Sequence, residues 1–341
     1  MARADALKKL ILSYQKGDDN AFRETVFQII EDERKKHHVL LANELEKILK
    51  NGLAVQKQNS FTSLSPPPAD ADKGIPLLEI HHPDRYLDEL VLEPNIRQAI
   101  ERVMDEFRAW EVLEANGLQP VRRLLFCGPS GCGKTAAAEA IASELGLPLL
   151  YIRFDAVVSS LLGETASNLR KVFEYAQSEQ WVMFFDEFDA IGRSRDDPTE
   201  HGEIKRVVNS FLQILDNFKG RSLVVAATNF EQAIDPAVWR RFDDIVRFEK
   251  PDIAQLKALI EKRLRPLQFK ASQVNEITQQ LDGATYADAE RVCIDIRKRC
   301  AIQGTRKIQK QDIVESLDRY AYRRTILDRS TAKAIPVIDV G

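Results

Sequence analysis

The sequence predicts an α/β fold: a parallel five-stranded sheet with helices on both faces, followed by a carboxy-terminal helical lid and preceded by an amino-terminal helical bundle. Three observations predict it. From about residue 84, apolar β-type runs alternate with helical patterns, the texture of a parallel sheet buried on both sides. After Pro251 the β-type runs disappear while helical periodicity continues. Upstream, VQKQNSFTSLSPPPADADKG is rich in Ser, Pro and Asp with little periodicity, which reads as a linker isolating whatever precedes it.

Taken in order, Leu7, Leu10, Ile11 and Tyr14 share one helical face, Phe22, Val26, Ile29 and Ile30 a second, and Leu41, Leu45, Ile48 and Leu49 a third. Gly17 with Asp18, Asp19 and Asn20 separates the first two, and Asn51-Gly52 ends the third. The expected strands are Arg122 to Cys127, Leu149 to Phe154, Trp181 to Asp186, Ser222 to Thr228 and Ile245 to Phe248. IAQLKALIEKRL, VNEITQQL, ADAERVCIDIRKRCA and KQDIVESLDRYAYRR supply the lid helices. The expected organisation is therefore a bundle at 1–52, a linker at 53–83, the α/β core at 84–250, the lid at 251–321 and a tail at 322–341.

Composition narrows the function classes. The charges nearly cancel to −3, which gives no general reason to expect binding to nucleic acid or membranes. Cys127, Cys132, Cys293 and Cys300 lack paired CxxC spacing, so buried reduced thiols are expected rather than zinc ligands or disulfides. No apolar stretch approaches the length of a membrane span, and the start has no long apolar signal region; a cytoplasmic protein is expected. The Lys-Lys-His-His run at 35–38 reads as an exposed helix face, since adjacent histidines on a helix do not converge on one ion.

The most specific motif is GPSGCGKT, comprising Gly128, Pro129, Ser130, Gly131, Cys132, Gly133, Lys134 and Thr135, which satisfies GxxxxGK[ST]. An apolar strand runs into it and the helical TAAAEAIASEL leaves it, the context of a P-loop NTPase. A triphosphate carries several negative charges, and glycines let backbone N–H groups converge on them at a helix N-terminus without side-chain obstruction. Lys134 adds a cation for the β- and γ-phosphates, and the Thr135 hydroxyl is a ligand for Mg2+ bridging those oxygens.

About 50 residues later, WVMFFDE ends an apolar strand in Asp186 and Glu187. Neighbouring residues at a strand end point differently, so Asp186 can hold the metal through its waters while Glu187 activates the attacking water. Asp189 has two readings, the metal's outer shell or a helix cap.

With these motifs, LVVAATN ending at Asn229 and DPAVWRRFDDIVRF from Asp235 resemble the AAA branch of the AAA+ ATPases, over roughly residues 84–320, in a bacterial-type arrangement of one AAA module behind a helical module. The resemblance implies ATP and Mg2+ as the bound species and Mg-dependent hydrolysis of ATP to ADP and phosphate. It implies that Asn229 is the sensor 1 residue touching the γ-phosphate and the water, and that Arg240 and Arg241 are arginine fingers reaching a neighbouring subunit's nucleotide. Taken alone, Asn229 would be a turn residue and the arginine pair surface. The pair lacks the Pro-Gly inserted in many relatives. If the fingers act in trans, a monomer lacks a complete site and hydrolysis would require a ring or spiral of subunits; the resemblance implies a ring that is usually a hexamer.

Two departures stand out. Leu161-Leu162-Gly163-Glu164 occupies the place where threading relatives carry an aromatic, a hydrophobic residue and Gly; Leu161, Leu162 and Gly163 are either pore residues or a core anchor for the following helix. Tyr286 stands where the sensor 2 segment usually has glycine, beside Ala287, which is expected to line the adenine pocket. Leu90 and Val91 fall where relatives cover the adenine ring, and could equally be core. The run RSRDDPTEHGEIKR, residues 193–206, reads as a solvated loop at the place of the family's second pore loop.

The leading expectation is an ATPase coupling hydrolysis to remodelling, unfolding or disassembly of a protein. The amino-terminal bundle would select the substrate or partner, and a separate protease is one candidate partner. The alternative is a nucleotide-controlled assembly switch or scaffold that threads nothing, favoured by the missing pore aromatic. A small-molecule kinase explains neither Asn229 nor the arginine pair.

Overall fold

The computed structural model of the protein describes residues 25, 26, 28, 66–70, 74–157, 162–189, 198–230 and 236–332. The chain divides into two compact units, Met1–Pro66 and Pro67–Gly341. Of the first, Thr25, Val26 and Gln28 are helical, and the remainder of the three expected helices lies outside the described residues.

The second unit holds a six-stranded sheet in the order β1-β3-β4-β5-β2-β6. Its strands are β1 (Leu78–His81), β2 (Arg123–Cys127), β3 (Leu149–Ile152), β4 (Val182–Phe185), β5 (Leu223–Thr228) and β6 (Asp244–Arg247). β2 to β6 pair in parallel, as expected from the alternating pattern. β1 is the addition: it runs antiparallel along β3, with Leu78 opposite Ile152 and His81 opposite Leu149. These residues fall within the expected linker, which the second unit overlaps from Pro67 onward. An edge strand needs only alternate apolar residues, and here Leu78 is buried while Glu79 and His81 are exposed, so four residues leave a faint pattern beside a Pro-rich run.

The inner strands are apolar throughout because helices cover both faces. All four residues of β4 and all six of β5 are buried. Side chains alternate in direction, so Phe184 joins a core with Ile100, Val103, Ala137 and Ile141, drawn from α1 (Pro94–Arg108) and α3 (Lys134–Leu145). Phe185 faces the other way. It stacks on Phe173 of α5 (Leu162–Ala176), centroids 5.7 Å apart, and meets Phe211 of α6 (Pro198–Asn217) edge-on at 5.4 Å. The short helices α2 (Trp110–Ala115), α4 (Phe154–Val157) and α7 (Pro236–Trp239) lie between these elements in sequence. α6 begins at Pro198, so the part of the expected 193–206 loop that is described is helical. Its GEIKRVVNSF continues an i, i+3, i+4 apolar pattern that the mixed charges conceal.

The lid consists of α8 (Ile253–Leu264), α9 (Ala271–Gln280), α10 (Tyr286–Ile302) and α11 (Lys310–Ala332) around its own core of Leu256, Ile260, Val274, Ile277, Val292 and Ile296. Asp252 and Thr285 start α8 and α10 as capping boxes, each accepting the third helical residue's N–H, which stabilises each helix by about 1 kcal/mol. α11 runs on to Ala332, past the expected boundary at 321. All four cysteines are buried free thiols. Among the described residues no helix is long and apolar enough to cross a membrane.

Candidate active site

β2 ends at Cys127 and α3 begins at Lys134, so Gly128 to Gly133 turn the chain at the carboxyl edge of the sheet. Gly128, Gly131 and Gly133 have φ of 133°, 76° and 101°, a backbone region that L side chains avoid. At Gly128 space decides as well, since a Cβ would stand 1.9 Å from the Phe248 carbonyl oxygen. Gly133 is the N-cap of α3 and brings no side-chain cap, which leaves first-turn N–H groups and the helix dipole to an anion. The loop therefore fits a phosphate cradle.

Lys134 is buried at 6% exposure, and its Nζ donates to the carbonyls of Gly128 (2.6 Å) and Pro129 (2.9 Å) and to Oδ1 of Asn229 (2.8 Å). Burial pushes this ammonium below its ordinary value. The Thr135 hydroxyl donates to Oδ2 of Asp186 at 3.1 Å, and the Tyr151 hydroxyl lies 3.4 Å from the same oxygen. Burial, aided by Asp186, raises the Tyr151 phenol to about 12, so it is a donor at neutral pH. Oδ1 of Asp186 accepts the Glu187 N–H at 2.9 Å. The hydroxyl and carboxylate of Thr135 and Asp186 suit a hard cation, which on a triphosphate needs only one or two protein oxygens. Among the described residues no group of three His, Cys, Asp or Glu could hold a metal by itself.

Glu187 has φ 51°, the single positive φ outside glycine among the described residues. Strained backbone of this kind concentrates where a side chain must be aimed. Asp189 has a further partner besides those its two readings name. It is buried, and its Oδ1 accepts from the Thr228 hydroxyl (3.3 Å) and the Asn229 N–H (3.4 Å), bracing the turn that presents Asn229.

A cleft of about 320 Å³ joins these groups to the lid and is lined by the loop, Asp186, Glu187, Asn229, Leu90, Val91, Leu259, Tyr286 and Ala287 among others. The Ala287 N–H donates to the Gly131 carbonyl at 3.1 Å, so the start of α10 touches the phosphate loop. Leu90 also packs on the α/β core and Val91 on the lid core, so the pair lines the cleft while resting on both cores. Two residues without a sequence motif also stand at the cleft wall: Arg85, paired with Glu139 at 3.0 Å, and Arg263, paired with Glu290 at 2.9 Å. Arg85 lies in irregular chain after β1 and Arg263 is one charge among several on α8. Tyr151 reads in the sequence as an apolar strand residue.

Arg240 and Arg241 are exposed and do not line the cleft. Asp243 just beyond them accepts the N–H groups of Arg122 and Arg123, both at 3.0 Å, which pins the arginine pair to the amino end of β2. β6 then runs the length of β2 before Phe248 reaches Gly128, a separation of roughly 15 Å at the rise of a strand. Arg241 pairs there with Asp216, which also holds Arg123 at 3.3 Å. Leu161 lies outside the described residues, and Leu162 and Gly163 form the first turn of α5.

A glycine-lined loop feeding a helix N-terminus, at the carboxyl edge of a mostly parallel sheet and roofed by a helical subdomain, defines a P-loop nucleoside triphosphatase. Comparison with known proteins narrows the class. Residues 124–250 match the "ATPase family associated with various cellular activities (AAA)". Over 330 residues the chain is 38% identical to an uncharacterized AAA family ATPase, y4kL, of Sinorhizobium fredii (strain NBRC 101917 / NGR234), covering 95% of this chain and 97% of that relative. It is 29% identical over 294 residues to the proteasome-activating nucleotidase of Saccharolobus solfataricus, 83% of this chain and 75% of that one. The same-named protein of Pyrococcus horikoshii is 28% identical over 249 residues, 71% of this chain and 62% of that one. The chain belongs to the AAA family of ATPases.

Proposed function

We propose that this chain is one subunit of a ring, a hexamer by resemblance, that couples Mg-dependent ATP hydrolysis to unfolding or disassembly of a protein. The observation that carries the reading is the convergence of Lys134, Thr135, Asp186, Glu187 and Asn229 on one cleft that the lid also walls. The loop glycines, the α3 N-terminus and Lys134 bind and orient the phosphates of ATP; Leu90, Val91 and Ala287 take the base end. Thr135 and Asp186 would hold a magnesium ion, which would supply charge neutralisation at the phosphates. Glu187 removes a proton from the attacking water and Asn229 orients that water. Arg240 and Arg241 stand too far from their own loop to serve it, which supports their acting on a neighbouring subunit's site.

Lid and core have separate apolar cores bridged at the cleft, so a nucleotide touching both can convert hydrolysis into lid motion. The proteasome-activating nucleotidases among the relatives support a protein substrate, delivered by the amino-terminal bundle and received in some settings by a separate protease. Leu161 in place of an aromatic favours a second reading, a nucleotide-controlled assembly switch without threading. The experiment measures ATPase rate and unfolding of a destabilised fluorescent substrate for wild type and for Leu161→Ala with Leu162→Ala. Threading requires that unfolding fall at least about tenfold at near-normal ATPase rate; unfolding that survives both changes favours the switch.

A further inference from the structure

Tyr151 belongs to none of the motifs that define the nucleotide site, yet its hydroxyl is 3.4 Å from Oδ2 of Asp186. It sits on β3 opposite Phe184 of β4, one residue pair short of the carboxyl end of both strands. The ring is held on two sides. His81 of the edge strand β1 stacks on it, centroids 5.6 Å apart and planes within 16°, and Phe184 meets it at 5.8 Å. His81 is itself 3.1 Å from a carboxylate oxygen of Glu79. The antiparallel edge strand β1 thus supplies one of the two rings packed against a side chain at the candidate metal site.

An aspartate carboxylate rotates freely about its last torsion unless donors fix both oxygens. On Asp186, Oδ1 accepts the Glu187 N–H at 2.9 Å. Oδ2 accepts from Thr135 at 3.1 Å and faces the Tyr151 hydroxyl. Thr135 is itself proposed to hold the cation, so Tyr151 is the donor at Oδ2 whose place does not depend on the cation. Hydrogen-bond partners that orient metal-holding groups contribute to affinity without touching the metal.

We propose that Tyr151 is a positioning residue for the divalent cation: its hydroxyl donates to Oδ2 of Asp186 and fixes the plane in which that carboxylate meets the metal. The proposal rests on the Mg-dependent reading of the site. At 3.4 Å the contact is at the long end of the hydrogen-bond range, so it biases the carboxylate rather than locking it.

The test uses the full chain and Tyr151→Phe, which keeps both ring contacts and removes one oxygen. Binding of a fluorescent ADP analogue is followed across a Mg2+ titration and in excess EDTA, with thermal unfolding in parallel. The half-saturating Mg2+ concentration should rise about tenfold, while affinity in EDTA and the unfolding midpoint stay at wild-type values. A Mg2+ curve superimposed on wild type overturns the proposal, and so does an equal loss of affinity in EDTA, which marks general loosening of the cleft. If the wild-type chain binds the analogue equally with and without Mg2+, the cation reading itself falls, a result distinct from either.

Discussion

The ammonium of Lys134 lies 2.8 Å from Oδ1 of Asn229, joining the phosphate loop after β2 to the turn after β5. One buried cation therefore ties the phosphate loop to the residue proposed to position water. The two residues differ in what they do once ATP is present. Lys134→Ala removes a charge-assisted donor and should weaken ATP binding about a hundredfold, read by equilibrium titration. Asn229→Ala should leave affinity within a few-fold and cut turnover about 10- to 100-fold. Equal losses of affinity in both variants would place Asn229 in binding rather than in the reaction.

Glu187 is held at φ 51° beside Asp186, and its carboxylate is the proposed base. Glu187→Gln keeps size and backbone but cannot take a proton at neutral pH. Phosphate release should fall roughly 10²- to 10⁴-fold with ATP affinity preserved, and the variant should retain ATP through gel filtration as an assembled species. Proteins captured by this variant, with and without the first 52 residues, would show whether the amino-terminal bundle selects substrate. Turnover near wild type would remove Glu187 from the chemistry.

The parts of this fold that were legible share a cause. β4 and β5 are buried on both faces, so their sequences are unbroken apolar runs, and the loop after β2 carries glycines at positive φ, with no room for a Cβ at Gly128. Residues whose role arises from tertiary approach were not legible. β1 is an edge strand of four residues, Asp189 braces a turn forty residues away, and Tyr151 meets Asp186 only because β3 and β4 lie side by side. The departure at Tyr286 was visible, but that its ring would wall the cleft was not.

That ring makes a pH prediction. Burial raises the Tyr286 phenol to about 12, and the nearby Asp252, Cys132 and Glu93 push in the same direction. A raised folded value means that the folded chain keeps its proton while the unfolded chain, titrating near its ordinary value of about 10, releases it. The resulting stability is present in full below pH 10 and is lost as pH rises toward 12. Urea midpoints should therefore drop between pH 9 and pH 11.5, and by less in Tyr286→Phe, whose side chain has no proton to lose. An unchanged drop in the variant would assign the alkaline loss to other groups.

Arg241 decides whether the site is shared. It stands at the far end of β6 from Gly128, paired with Asp216, so its substitution leaves the chain's own phosphate loop untouched. Arg241→Ala should bind ATP normally and hydrolyse it about 10³-fold or more slowly, since a finger that offsets transition-state charge is worth that much. Lys134→Ala should fail for the complementary reason, an empty loop beside an intact finger. Mixed at concentrations where wild type assembles, the two variants create some interfaces in which a good loop faces a good finger, and activity should reappear in proportion to those interfaces. Rescue that rises with mixing ratio to a maximum and vanishes on dilution would establish the shared site. Two inactive proteins that co-assemble without rescue would instead confine Arg241 to its pairing with Asp216, a fold contact within one subunit.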